Sequence, residues 1–308
     1  MSHVEGVLGT SSDELRCHTV VQSVVNKQLV GQPKISNQMT NFWKDILSFA
    51  QTTTEKVGSQ LMADFGQVQA SQKADGSLVT QSDHWADETI RDAIASHFPS
   101  HGILSEEGQH QFPGTEWCWI IDPLDGTTNF TRGIPIWGIS LGLLYQGTPV
   151  FGYVHFPPIG QTFHGVWEGE SGIAGLENGA FLNGRPIHSS PDSPSHNHFF
   201  NLCSRSAALL QQSLPCKIRM LGVASYNFLT IASGAALGGI EATPKIWDIA
   251  GAWVIVQAAG GVWVPLDSTA IFPLNVGENY GSRALPTLVA SSPEVVSVFK
   301  PLIKISTP

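Results

Sequence analysis

The sequence predicts an α+β fold built as a layered α/β structure. Three observations predict it. Helix-period apolar residues open the ordered part of the chain, strand-like apolar blocks separated by Gly and Pro turns fill its middle, and apolar helical stretches followed by short strands close it. Strands and helices do not alternate one by one, which argues against a simple βαβ array. With 308 residues the chain can form one large domain, or two closely packed subdomains, with a sizeable core.

The elements follow in order. Residues 1–38 are polar apart from a short patch at Val20–Val25, and read as an N-terminal extension without regular structure ahead of a domain over 39–308. From Met39 onward Phe42, Trp43, Ile46, Phe49, Ala50, Val57, Leu61 and Phe65 recur at helical spacing, and Gly66 offers a stop. A second helix is expected from about Ser82, burying Trp85, Ala86, Ile90, Ala93 and Ile94, with Pro99 as its bound. Trp117–Ile121 reads as a buried strand. Residues 136–145 and 149–156 read as two more, joined by the turn Gln146-Gly147-Thr148-Pro149. Further short strands are expected over 161–182. The polar loop 189–197 marks a subdomain border. Beyond it come helices at 223–233 and 248–259, the latter closed by Gly260-Gly261, then strands near 262–264 and 287–291. Ser292-Pro293 opens a last helix, with Pro at its first position.

Composition narrows the function. Lys and Arg total 16 against 25 Asp and Glu, a net charge of −9, and no basic run exists. Nucleic acid and anionic membrane are therefore poor partners. An anionic substrate is a poor match too, unless bound cations reverse the sign at the site. Cys17, Cys118, Cys203 and Cys216 are scattered without CxxC spacing, as expected for reduced thiols in a cytoplasmic protein. No run of 18 apolar residues suggests a membrane span, and Glu5, Asp13 and Glu14 break any signal-peptide pattern.

The most informative segment is Trp119-Ile120-Ile121-Asp122-Pro123-Leu124-Asp125-Gly126-Thr127-Thr128-Asn129-Phe130. An apolar strand runs into two carboxylates three residues apart. Pro123 forces Asp122 to be extended, and Gly126 permits a turn. Two acids at a strand mouth suit a hard, oxygen-ligated cation such as Mg²⁺. Free amides after the turn suit a phosphate oxygen. An Asp-rich turn with capping roles is the competing reading. Three other segments carry acids with similar alternatives. Glu106 and Glu107 follow Gly102-Ile103-Leu104, where adjacent acids are commonly just solvated. Asp248, in Trp247-Asp248-Ile249-Ala250-Gly251, suits an N-cap as well as a ligand. In the polar loop Lys73–Asp83, Thr80 and Asp83 suit a capping pair.

Together and in this order, the four segments resemble the inositol monophosphatase family, from about Met39 to the C-terminus. The resemblance implies a layered α/β/α/β/α sandwich, of the type shared with fructose-1,6-bisphosphatase, and a homodimer. It implies that Glu106, Asp122, Asp125, Asp248 and the Leu124 carbonyl bind two or three Mg²⁺ ions, with Lys73 on a loop near them. Thr127 and Asp83 would orient the attacking water, with Glu107 in support, and Gly126 and Thr127 would hold phosphate through their amides. Unneutralised, the four carboxylates would repel a phosphate dianion; bound cations would reverse the local sign and help activate water for direct in-line attack. Lithium sensitivity is implied as well.

The substrate is traced more thinly. Ala224 and Glu241 match family positions that contact the substrate, Glu241 seven residues before Asp248, and a carboxylate there can accept hydrogen bonds from ring hydroxyls. The Thr-Thr-Asn-Phe ending favours the inositol and sugar-phosphate branches over the nucleotide and histidinol branches. Inositol monophosphate is thus the expected substrate, with fructose bisphosphate or another polyol phosphate as the alternative. A metal-dependent binding or scaffold protein is the reading of a different class. A GxSxG match at Gly138–Gly142 lacks the helix a nucleophile elbow needs. The spacing of Asp122 and Asp125 does not give the DxD of haloacid dehalogenases. His97 and His101, separated by Pro99, are expected at the surface.

Overall fold

The computed structural model describes residues 33–304, apart from 75, 174–176 and 268. The chain divides into two units, residues 1–46 and 47–308. Helix α1 (Pro33–Asp64) begins ahead of Met39, where the apolar periodicity starts. Residues 1–32, most of the expected extension, lie outside the described residues. Everything that follows concerns the second unit.

After α1 comes a hairpin of β1 (Ser71–Gln72) and β2 (Leu78–Val79), then α2 (Gln81–His97). A seven-stranded sheet follows. It comprises β3 (Gly102–Ser105), β4 (Trp117–Asp125), β5 (Gly138–Tyr145), β6 (Thr148–Phe156), β7 (Gln161–Val166), β8 (Gly179–Leu182) and β9 (Arg185–Pro186), in sequence order across the sheet. Only the β3–β4 pair is parallel. The short helix α3 (Thr127–Thr131) sits between β4 and β5. The polar loop 189–197 lies between the last strand of this sheet and the first of the next.

The second sheet has five strands in the order β11-β10-β12-β14-β13. These are β10 (Phe199–Leu202), β11 (Lys217–Arg219), β12 (Gly238–Glu241), β13 (Val262–Pro265) and β14 (Thr287–Ala290). Helices α4 (Ala224–Ala232) and α5 (Ile246–Ala258) pack between the two sheets, and α6 (Pro293–Phe299) covers the far face of the second. With α2 on β4, the order of layers is α/β/α/β/α. One apolar cluster, including Phe163, Phe228, Ile249 and Ile255, fills the space around α4 and α5. A second, including Phe200, Leu288 and Phe299, lies under α6.

Helix α5 is apolar on nearly all sides, as a helix between two sheets must be. It approaches the first sheet unusually closely. A Cβ on Gly142 would stand 2.9 Å from that of Ala250, one on Gly251 would stand 2.9 Å from the Leu141 carbonyl oxygen, and one on Gly152 would run into Gly251. Absent side chains on β5, β6 and α5 therefore set the height of α5 above the sheet. That height fixes where its first turn, carrying Asp248, meets the end of β4.

Candidate active site

The site is built at the end of β4. In a regular strand, residues three apart face opposite sides of the sheet. Asp122 pairs with Ser140 and Asp125 with Gly138, so β4 carries one residue more than β5 over this stretch. Pro123, which has no N–H to give the ladder, sits in that bulge. The bulge rephases the strand and brings both carboxylates to one side. Asp122, Asp125 and Asp248 each offer an oxygen within 4.8 Å of the others. The trio lies in a cleft of about 470 Å³ that Glu106, Leu124, Gly126, Thr127, Ala224 and Glu241 also line.

Each acid accepts a hydrogen bond from a backbone N–H. Asp122 Oδ1 accepts from Leu124 N at 3.0 Å. Asp125 Oδ2 accepts from Ser225 N at 2.8 Å and so caps the start of α4, which has no side-chain cap of its own. Asp248, in the first turn of α5, accepts from Lys245 N at 2.6 Å. Asp248 is thus not the N-cap, which is Lys245, but the third helical residue, whose carboxylate binds back to the cap while it joins the acidic cluster. Asp83 holds the same position in α2. Its Oδ2 accepts from Thr80 N at 2.8 Å in a capping box, while its Oδ1 accepts from Thr127 Oγ1 at 2.9 Å. Thr127 Oγ1 also lies 3.2 Å from the Leu124 carbonyl. Gly126, at φ 98°, makes the left-handed turn into α3, and a Cβ there would stand 2.6 Å from Val223 Cγ2.

Glu106 lies outside the trio. Its Oε1 accepts from Lys73 Nζ at 2.8 Å, and Lys73 also binds Glu107. Glu106 and Glu107 are therefore not a solvated pair. His84 Nδ1 stands 3.9 Å from Glu107 Oε2. His110 Nε2 meets the Glu106 carbonyl at 2.7 Å, and its ring packs 5.3 Å from that of Trp247, beside Asp248.

Electrostatics set this cluster apart. Burial, and then repulsion from Glu106, Asp125 and Asp248, pushes the Asp122 carboxyl well above its usual range. Burial and Asp125 do the same to Asp248. Burial raises Glu106 to about 7 despite Lys73, and burial raises Asp125, Asp83 and Glu107 as well. Burial opposes the charge on Lys73, yet Glu106 and Glu107 hold its ammonium above the ordinary range. A single lysine cannot balance four converging carboxylates. The donor set is all oxygen and short of positive charge, which fits a hard divalent cation.

Sequence similarity decides the family. Residues 43–296 match the model of the inositol monophosphatase family. The chain belongs to the inositol monophosphatase family. It is 32% identical over 226 residues to a fructose-1,6-bisphosphatase/inositol-1-monophosphatase of Thermotoga maritima, covering 71% of this chain and 84% of that protein. It is 31% identical over 235 residues to a histidinol-phosphatase of Chlorobaculum parvum, covering 70% and 83%. The solved structure of a Thermotoga maritima IMPase superposes with a TM-score of 0.69 at 29% identity, covering 84% of this chain and 98% of that one. As a member of the inositol monophosphatase family, the chain is a phosphatase of phosphate monoesters.

Glu241, which lines the cleft, is buried. It accepts from Asn227 Nδ2 at 2.6 Å, and burial raises it to about 7. His101, expected at the surface, is half-buried, accepts from Trp119 Nε1 at 3.1 Å and stacks on Phe98. Its local sequence gave no hint that a neighbouring strand would present an indole N–H. Ser140 of the GxSxG match is buried within β5, while His198 pairs with Asp192 and Ser195 on their own loop. The residues 203–205 and Thr243 were not foreseen on the cleft. They follow β10 and β12, two short strands that carry no strong period in sequence.

Proposed function

We propose that this phosphatase hydrolyses a polyol phosphate monoester, with myo-inositol monophosphate as the expected substrate and Mg²⁺ as the cofactor. The observation that carries the reading is the buried, mutually repelling trio of Asp122, Asp125 and Asp248 beside Glu106. These four side chains and the Leu124 carbonyl would hold two or three ions. When bound, the cations supply the positive charge that admits a phosphate dianion and lowers the pKa of water. Thr127 Oγ1 spends its proton on Asp83, so its lone pairs are free to accept from a water. Asp83 then holds the hydroxyl in that sense, and its carboxyl, raised by burial against the opposing pull of Thr80, Thr127 and Lys73, is suited to receive a proton. The amides of Gly126 and Thr127, at the turn into α3, are placed to bind phosphate oxygens. Lys73 fixes Glu106 and Glu107. On the wall of the cleft, Ala224 leaves room for a ring and Glu241 accepts from its hydroxyls.

Similarity to relatives named for inositol phosphate, fructose bisphosphate and histidinol phosphate leaves the choice of leaving group to Glu241 and its surroundings. A panel of these three esters with and without Mg²⁺ tests the reading. It predicts Mg²⁺-dependent turnover with inositol monophosphate preferred; preference for histidinol phosphate would contradict it. A homodimer, lithium inhibition and a cytoplasmic setting belong to the same reading, checked by sedimentation, a lithium titration and cell fractionation. No helix among the described residues is long and apolar enough to cross a membrane.

A further inference from the structure

Glu106 comes to the cleft from the turn after β3, whereas the trio stands on β4 and α5. Its backbone is fixed at both polar groups. Glu106 N donates to the Ile121 carbonyl at 3.1 Å, one residue before Asp122. Its own carbonyl meets His110 Nε2 at 2.7 Å. A carbonyl has no proton to give, so Nε2 carries the hydrogen and donates it. The His110 ring also packs on Trp247, with centroids 5.3 Å apart, and Trp247 is joined directly to Asp248. A single imidazole thus touches the chain on two flanks of the acidic cluster. The segment 277–281 holds that imidazole from behind. Tyr280 N donates to the His110 carbonyl at 3.0 Å, and Phe112 N to the Glu278 carbonyl at 2.9 Å. Lys245 Nζ donates to the Gly281 carbonyl at 3.2 Å, while Lys245 N binds Asp248. A Cβ on Gly281 would stand 2.5 Å from His110 Nδ1, so only a bare backbone fits against the ring.

We propose that His110 is a positioning residue that sets the spacing of Glu106 and Asp248. The inference rests on the reading of these acids as cation ligands. Carboxylates that repel one another do not converge of their own accord before a cation is bound. Their spacing is therefore imposed by the backbone around them, and a ligand fixed by its outer partners binds the ion more tightly. His110 is not among the described residues that line the cleft. It acts through the Glu106 peptide and through its contact with Trp247.

Three readouts test it: Mg²⁺ affinity by calorimetry, melting temperature in EDTA, and hydrolysis of an aryl phosphate. His110→Phe keeps a ring on Trp247 and removes the N–H. It should weaken Mg²⁺ binding by about tenfold and raise the Mg²⁺ needed for half-maximal activity in parallel. At saturating Mg²⁺ its kcat should stay within about threefold of wild type, since no group at the reacting atoms is lost. His110→Gln, which carries an N–H at similar reach, should recover most of the affinity. Gly281→Ala presses on the ring from behind and should weaken Mg²⁺ binding as well. Added to His110→Gln, whose flexible amide yields where a ring cannot, it should cost little more. If His110→Phe does not fold, this pair of variants decides. Wild-type Mg²⁺ affinity in His110→Phe, equal losses in His110→Phe and His110→Gln, or a lowered melt alone would overturn the role of His110. So would fully additive losses in the double variant. Each of these leaves the cation reading intact. Failure of the wild-type protein to bind Mg²⁺ would overturn that reading and this inference with it.

Discussion

Thr127 Oγ1 donates a 2.9 Å hydrogen bond to Asp83 Oδ1, joining the turn after β4 to the first turn of α2. Asp83 serves two masters, because its other oxygen closes the capping box with Thr80. The two roles separate by mutation. Thr127→Val keeps the cap and removes the water-facing hydroxyl. It should lower kcat by about 10²- to 10⁴-fold with little change in melting temperature. Asp83→Ala should cause a similar loss and also cost about 0.5–2 kcal/mol of stability from the cap. Thermal melts beside steady-state kinetics read both. Full activity in Thr127→Val would remove this hydroxyl from the reaction.

Glu241 is expected to govern the leaving group rather than the phosphoryl transfer. Its buried carboxylate accepts from Asn227 on Oε1 and is also hydrogen-bonded by Cys203, and the residue lines the cleft. Glu241→Gln, close in shape, should weaken inositol monophosphate turnover by about 1.5–3 kcal/mol and leave an aryl phosphate nearly untouched. Equal losses on both substrates would place Glu241 in support of the acidic trio instead.

The close approach of α5 to the first sheet makes a packing prediction. Gly152→Ala would drive a methyl into Gly251. Such overpacking costs about 1–3 kcal/mol and should lift the first turn of α5, displacing Asp248. The variant should melt lower and need more Mg²⁺ for half-maximal activity. A normal Mg²⁺ requirement together with a lowered melt would show that the helix height and the acidic trio are independent.

Stability should depend on pH in a direction opposite to that of a salt-bridged protein. Burial raises Asp122 and Asp248 well above their ordinary range and Glu106 and Glu241 to about 7, whereas the unfolded chain titrates near pH 4. Between about pH 4.5 and 7 the metal-free folded protein binds more protons than the unfolded one, so its stability falls as pH rises. Mg²⁺ would neutralise the same acids and release those protons. The gain in melting temperature on replacing EDTA with Mg²⁺ should therefore be larger at pH 8 than at pH 5.5. A gain independent of pH would mean that the cations bind elsewhere.

The motifs were legible because each carries its chemistry within a few residues. The Asp122–Phe130 segment shows its strand, its turn glycine and both acids in one line of sequence. Helix α2 announces itself by the capping pair Thr80 and Asp83, and α5 by its apolar content. What stayed hidden depends on distant chain. The one-residue bulge that turns Asp122 and Asp125 to the same side exists only against β5. Strands β10 and β12 are short, and β12 opens with two glycines, so neither shows a strand period. With them went Arg205 and Thr243. His101 looked like a surface residue because Trp119, its donor, belongs to a neighbouring strand.

The central claim is that Asp122, Asp125 and Asp248 hold the cations on which hydrolysis depends. Asp122→Asn tests it most directly, because it removes a charge without removing volume from a site already crowded with like charges. Mg²⁺ titrations of the wild-type and variant proteins should be read by calorimetry and by phosphate release. The account predicts a variant that folds, is no less stable than the wild type without metal, and loses at least about a hundredfold in both Mg²⁺ affinity and turnover. Wild-type Mg²⁺ binding and phosphate release in Asp122→Asn would contradict it.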